Sequence, residues 1–235
     1  MNQRYQSIGE YGAAPVISAE ERNRVLRNTY WLLALSMVPT VIGAFIGTQI
    51  GMLQIFGRMS IWMQLGIFFV GAYGLMFLVE KNKNSSVGVI FLMIFTFFMG
   101  LMLSRLLSFT MMRYANGTQL IAIAFAGTAG IFAAMATLAT VIKRDISTWG
   151  KFLSVGLLMA IAVLIANFWL ESGPLGIALL LLIMGISSAF LLYSVKSVID
   201  GGETNYISAT LSIYVSLYNV FSSLLQLLGI FGGEE

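Results

Sequence analysis

Apolar residues occur in seven long stretches that are separated by short polar segments. Each stretch is close to the ~20 residues that a helix needs to cross the hydrocarbon core of a membrane. Because the connecting segments are short, neighbouring helices are expected to run antiparallel in one compact bundle. The sequence therefore predicts an all-α integral membrane protein. Its seven transmembrane helices are predicted at residues 29–50, 60–79, 87–109, 119–142, 151–170, 175–199 and 207–231.

A polar segment precedes the first apolar stretch, and four residues follow the last. We predict a cytoplasmic polar tail at residues 1–28, a transmembrane domain at 29–231 and a short C-terminal tail at 232–235. The first segment lacks an apolar core followed by a cleavage site, so it is not expected to be a signal peptide. Ser18 with Glu21 three residues later is the pattern of a helix N-cap, so a helix is expected to begin there.

Polar side chains recur along one side of the last apolar stretch, from Ser208 to Gln226. At about 100° per residue they fall within roughly an 80° sector, away from Tyr214. Such a stripe is expected to face other helices or a water-filled cavity, because lipid offers no hydrogen-bond partners. Two meanings stay open: hydrogen bonds that hold the bundle together, or a hydrated path or ion site. The candidate intramembrane polar site comprises Ser194, Ser212, Ser216, Asn219, Ser223 and Gln226.

Small residues recur at four-residue spacing in two of the apolar stretches. This spacing lets helix backbones approach closely, and we expect it to serve packing within the chain rather than an oligomer interface. The two runs are Gly43, Gly47 and Gly51, which reach just beyond the first stretch, and Ala122, Ala126, Gly130 and Ala134 in the fourth.

The 13 lysines and arginines are unevenly distributed over the two sides of the predicted bundle. With the N-terminus inside, ten lie on the inner side and only Arg58, Arg105 and Arg113 on the outer side. The positive-inside rule then predicts a cytoplasmic N-terminus and a periplasmic C-terminus. Arg105 is the most deeply placed charge, and two arrangements stay open for it. It either forms an outer-face pair with Glu171 or extends toward the membrane surface.

Composition narrows the classes of function. Hydrophobic residues make up 58% of the chain and charged residues 10%, and mean hydropathy is +0.88. Histidine and cysteine are absent, which removes disulfides and the usual ligands of zinc, haem and copper. No carboxylate lies mid-helix, which counts against proton pumping and intramembrane proteolysis. We therefore expect no enzyme, no cofactor, no metal site and no nucleic-acid binding, with membrane lipid as the surrounding partner.

The segment after the sixth apolar stretch carries a specific motif. It reads Gly201, Gly202, Glu203, Thr204, Asn205 and Tyr206, and runs into the polar-striped helix. This segment closely resembles the C-terminal hallmark of the Bax inhibitor-1 family of membrane proteins. Residues 25–30 and 73–77, with Gly127 and Thr128, are similar to the bacterial YccA branch of that family.

The resemblance implies a fold in which six helices surround a central, more polar C-terminal helix. It also implies the bacterial inner (plasma) membrane. For the YccA branch it implies association with the membrane-bound ATP-dependent protease FtsH and its HflK–HflC partners, as substrate and modulator.

Other branches of the family imply an alternative function, a pH-sensitive leak of calcium or protons. Those members carry an aspartate pair whose matching positions are Ser194 and Ser216 in this sequence. Two carboxylates can share a proton and bind a hard cation, whereas two serines can do neither. The sequence therefore favours the protease modulator over the leak.

Overall fold

The structure, a computed structural model, describes residues 18–170 and 172–234, except for the side chains at 154, 161, 164, 165, 168 and 169. Most of the predicted N-terminal tail therefore lies outside the described residues. The described part of the chain is helical, and no strand occurs in it. Its helices are α1 (Ala19–Gln49), α2 (Met52–Gly57), α3 (Ile61–Lys81), α4 (Ser86–Arg113), α5 (Gly117–Val141), α6 (Trp149–Leu170), α7 (Gly173–Ile199) and α8 (Tyr206–Gly232).

Six of these helices are long and apolar enough to cross a membrane: α1, α3, α4, α5, α7 and α8. This confirms an all-α membrane protein. Helix α6 is apolar as well, but some of its side chains lie outside the described residues. The count of seven transmembrane helices therefore stays a prediction. We call the end where α1 and α8 begin the inner end, and the end where α1 and α4 finish the outer end.

Helix α1 begins at the predicted cap, ten residues before the predicted apolar span. The backbone N–H of Glu21 donates to the Ser18 hydroxyl at 3.1 Å, and the Ser18 N–H donates to the Glu21 carboxylate at 3.2 Å. This reciprocal pair satisfies two N–H groups that the first turn leaves free. At 1.5 Å per residue α1 is about 46 Å long, well beyond the ~30 Å hydrocarbon core. Its charged first turns therefore project from the inner end.

Helix α2 is a feature that the sequence did not predict. It is only six residues long, which is too short for a periodic pattern of apolar positions. Gly51 precedes it with φ of 69°, in the left-handed region that glycine adopts at little cost. The prediction that Gly51 serves helix packing is therefore wrong, because this residue turns the chain from α1 into α2.

Close packing of α1 on α4 depends on three glycines. A Cβ on Gly43 would overlap the backbone carbonyl of Phe97, and one on Gly47 would overlap the Ser104 hydroxyl. From the other side, a Cβ on Gly100 would overlap the carbonyl oxygen of Thr40. The packing prediction is confirmed for Gly43 and Gly47. It is wrong for Gly130 of α5, whose Cβ position has nothing within 4 Å.

Helix α8 lies at the centre of the bundle, where it packs against α1, α3, α4, α5 and α7. Half of its most apolar window is buried, compared with 6% for the peripheral α3. Helix α6 packs against α7, to which a short connection joins it. Among the described residues five helices pack against α8, so the ring of six helices stays a prediction.

Candidate functional site

Asn205 joins three segments at the inner end. Its side-chain oxygen accepts hydrogen bonds from the N–H groups of Ile207 at 2.9 Å and Ser208 at 3.2 Å, which caps α8. Its side-chain nitrogen donates to the Lys83 carbonyl and to the Asn84 side-chain oxygen, both at 2.9 Å. An amide is suited to this position because it accepts and donates at once. Asn205 therefore fixes the start of the central helix to the α3–α4 loop.

The rest of the hallmark motif forms the turn that leads from α7 to Asn205. Gly201 has φ of 80°, which suits glycine at the end of a helix. The N–H groups of Gly202 and Glu203 both donate to the Ser197 carbonyl, at 2.8 and 3.0 Å. The Glu203 carboxylate accepts the Asn205 N–H at 2.7 Å. Thr204 is exposed and Tyr206 begins α8, so the hallmark has an architectural role.

A second polar contact lies beside Asn205. The Ser208 hydroxyl donates to the Glu80 carboxylate at 3.1 Å, and Lys83 pairs with the same carboxylate oxygen at 3.1 Å. Glu80 belongs to α3 and Ser208 to the first turn of α8. We call Glu80, Lys83, Asn205 and Ser208 the inner latch, because together they connect α3, the α3–α4 loop and α8.

The predicted polar stripe is only partly inside the bundle. Ser194, Ser216 and Ser223 are buried and Asn219 is half-buried. Ser212 and Gln226 are exposed, so at these two positions the stripe does not pack against the other described helices, and the alternative of a water-filled cavity stays a prediction. The Gln226 amide donates to the Ser222 carbonyl of its own helix at 3.0 Å, which satisfies one of its two N–H donors while it faces the outside.

The buried part of the stripe does not join helices through Ser216. Its hydroxyl donates to the Ser212 carbonyl one turn earlier, at 2.9 Å. Ser194 of α7 is 7% exposed and Ser216 is 4% exposed, and neither can titrate. The described residues also contain no cluster of three metal-ligating His, Cys, Asp or Glu side chains.

A polar contact between α8 and two other helices lies at Tyr214, outside the predicted stripe. Its hydroxyl lies 2.8 Å from the Thr40 hydroxyl and 3.4 Å from the Thr96 carbonyl, which it reaches as a donor. Its ring meets that of Phe95 edge to face, with centroids 5.8 Å apart. Tyr214 is 2% exposed and connects α8 to α1 and α4. A tyrosine in an apolar helix was the only signal in the sequence, and it did not identify these partners.

Replacing Tyr214 with phenylalanine is expected to destabilise the protein by about 1 kcal/mol. The change removes one hydroxyl and its hydrogen bonds but keeps the ring. Denaturant titration in mixed micelles measures the free energy of unfolding. Tyr73→Phe is the matched control, because Tyr73 is half exposed on α3 and stacks on Phe69 through its ring alone. Equal effects at the two positions would show that the Tyr214 hydroxyl bonds contribute nothing.

Arg105 lies about 12 Å before the outer end of α4, given 1.5 Å per residue. Its guanidinium donates to the Gln64 side-chain oxygen of α3 at 2.7 Å and stacks on the Phe56 ring, 4.4 Å from the centroid. The Arg105 Nε is buried without a hydrogen-bond partner among the described residues. Glu171, the other member of the predicted outer-face pair, lies outside the described residues. Among the described residues, the partner of the Arg105 guanidinium is thus a neutral amide and not a carboxylate.

Comparison with known proteins places most of the chain in one group. A family model described as "Inhibitor of apoptosis-promoting Bax1" matches residues 22–233. The chain is 39% identical over 207 residues to the "Modulator of FtsH protease YccA" of Escherichia coli, covering 88% of this chain and 90% of the relative. It is 36% identical over 214 residues to an uncharacterised protein of Neisseria meningitidis, covering 91% of this chain and 94% of the relative.

Proposed function

The chain belongs to the Bax inhibitor-1 family, and from that premise we propose that it modulates the membrane-bound protease FtsH as a substrate and inhibitor. The relative that carries this proposal is the E. coli protein named a modulator of FtsH protease, 39% identical over nearly the whole chain. A second E. coli relative, also 39% identical over 207 residues, is named an inner membrane protein. This name supports a location in the bacterial inner membrane. Association with the HflK–HflC complex is part of the same proposal.

The proposed mechanism begins at the N-terminus. In this mechanism an ATP-driven protease grips residues 1–17, a segment of polar sequence that precedes the capped start of α1. In this proposal the N-terminus lies in the cytoplasm and the C-terminus in the periplasm, in line with the ten basic residues assigned to the inner side.

Pulling on the tail would load α1 first, and several contacts hold that helix in place. Arg22 donates to the Ile199 carbonyl at 3.3 Å, and the Thr210 hydroxyl donates to the Thr29 carbonyl at 3.2 Å. Further along, the three glycines hold α1 against α4 over two helical turns. Extraction must break these contacts in the membrane, so it is slow. A slowly extracted substrate occupies the protease and thereby inhibits the turnover of other substrates.

Deleting residues 2–17 tests this mechanism and leaves the Ser18–Glu21 cap intact. We expect the truncated protein to persist in cells where the full-length protein is degraded, because the segment that the protease grips has been removed. Pulse-chase labelling measures the half-life, and affinity purification in a mild detergent measures association with FtsH and HflK–HflC. The matched control carries the same residues in scrambled order and should be degraded like the full-length protein.

The proposal fails if neither full-length nor truncated protein associates with the protease, and neither changes the turnover of a second membrane substrate. The side chains at the matching positions disfavour a calcium or proton leak. Its titratable pair is replaced by Ser194 and Ser216, and the Ser216 hydroxyl is bonded within its own helix.

A further inference from the structure

The outer end of the bundle holds a pocket that the proposed function does not use. It has a volume of about 610 Å³ and lies between the end of α1, the short helix α2 and the end of α4. This volume falls within the range of about 300–1,000 Å³ that is usual for small-ligand sites. Gly51, with its left-handed backbone, forms the turn at one side of the pocket, and Gln54 folds back over it.

The polar part of the pocket wall has the character of an anion site. It is formed by Thr48, Gln49, Gln54, Arg58 and Ser108. None of the residues that line the pocket is acidic. Arg58 is exposed and forms no ion pair with any residue that the structure describes. The Thr48 hydroxyl already donates to the Phe45 carbonyl, so the wall offers the Arg58 guanidinium beside amide donors and the Ser108 hydroxyl, a set of groups that binds a phosphate oxygen.

A second positive charge lies just below this wall. Ser108 is three residues beyond Arg105 on α4, so the two positions share a face of the helix one turn apart. Arg105 is bonded to the neutral Gln64 amide and has no carboxylate partner in the described part of the chain. In the low dielectric of a membrane protein, its field is screened less than that of a surface charge. Both arginines therefore make the pocket attractive to an anion.

The remaining wall is apolar and belongs to the membrane boundary. Ile50, Ile55, Met111 and Met112 line it, and all four are exposed. They lie at or just beyond the last turns of two membrane-spanning helices, where phospholipid headgroups and the first carbons of acyl chains are found. Methionine side chains adapt to the irregular shape of such chains. The ligand suited to this pocket therefore has an anionic phosphate group joined to an apolar chain.

We propose that the outer pocket binds the phosphodiester headgroup of an anionic phospholipid, with Arg58 in contact with the phosphate. The acyl chain then runs along Met111 and Met112 toward the hydrocarbon core. Free inorganic phosphate offers the same oxygens to Arg58 but no apolar part, so the two ligands can be distinguished by experiment. This proposal is independent of any contact with a protease.

The test is lipid binding by the full-length protein in detergent, counted by native mass spectrometry. The probes are dioleoyl phosphatidylglycerol, dioleoyl phosphatidylcholine and inorganic phosphate. We expect phosphatidylglycerol to bind more tightly than phosphatidylcholine, and Arg58→Gln to weaken phosphatidylglycerol binding about tenfold, the loss of one charge-assisted hydrogen bond. Gln54→Glu places a negative charge on the same wall and should weaken it to a similar extent.

Arg144→Gln is the matched control, because it removes an exposed arginine from the opposite end of the bundle. It should leave phosphatidylglycerol binding unchanged. Equal binding by the wild type and Arg58→Gln would overturn the proposal. So would an equal loss in Arg144→Gln, which would show general attraction to basic residues. Displacement of the lipid by inorganic phosphate in excess would identify free phosphate as the ligand and overturn the lipid assignment.

Discussion

Replacing Gly100 with alanine is expected to destabilise the protein by about 2–3 kcal/mol, although it adds only one methyl group. The new Cβ would overlap the Thr40 carbonyl oxygen and would also meet the Thr40 carbonyl carbon and the Ala44 nitrogen. All three atoms belong to the backbone of α1, so no side chain can rotate away. Helices α1 and α4 must move apart along their contact, which loosens the packing of Gly43 and Gly47 as well.

The matched control is Gly130→Ala on α5, where nothing lies within 4 Å of the Cβ position. There the methyl group is expected to be neutral or to add up to about 1 kcal/mol of stability, because alanine favours the helix over glycine. Titration with a denaturing detergent measures both free energies of unfolding. If Gly100→Ala were as stable as the wild type, α1 and α4 would not be held by close backbone contact. The same variant should shorten the half-life of the protein in cells if extraction of α1 limits its degradation.

Replacing Asn205 with alanine is expected to cost about 2–3 kcal/mol. About 1 kcal/mol comes from losing the cap of α8. The remainder comes from the two bonds to Lys83 and Asn84, at roughly 1 kcal/mol each. Because Asn205 connects the central helix to the α3–α4 loop, the substitution is expected to loosen this loop as well. Hydrogen exchange at residues 83–86 should therefore become faster together with exchange at the first turn of α8.

Two further variants separate the two halves of this effect. Asn205→Asp keeps the oxygen that caps α8 but loses both donors to the loop, so it should accelerate exchange at the loop more than at the helix. Thr204→Ala changes the exposed neighbouring residue and should stay within about 0.5 kcal/mol of the wild type. If Asn205→Ala and Thr204→Ala behaved alike, the inner latch would not hold α8 in place.

The long helices could be predicted from the sequence because lipid imposes a simple requirement. A span must be apolar for about 20 residues, and a run of that length stands out whatever packs against it. The fourth stretch, predicted at 119–142, is helix Gly117–Val141 in the structure. The start of α1 was predictable for a different reason, since the bonds between Ser18 and Glu21 are local. Both successes depend on information held within a few neighbouring residues.

The partners inside the bundle could not be predicted, because they are distant in sequence. Tyr214 meets Thr40 and Thr96, which are more than a hundred positions away. For Arg105 the charge pattern offers only Glu171 or the membrane surface, whereas the described residue that it contacts is the neutral Gln64. The exposed position of Gln226 could not be predicted either, because its amide bonds to its own helix and does not need a partner in the interior. Helical spacing shows on which side of a helix a residue lies, but not which other helices pack against that side.

The central position of α8 also sets the order in which this protein can be built. Its neighbours α1, α3, α4, α5 and α7 all precede it along the chain, so each leaves the ribosome before the helix that they surround. At about 5–20 residues per second, translation of its 27 residues takes a few seconds. Until then the Thr96 and Lys83 carbonyls lack the donors that Tyr214 and Asn205 bring to them. The contacts of the central helix are therefore the last to form as the protein is made.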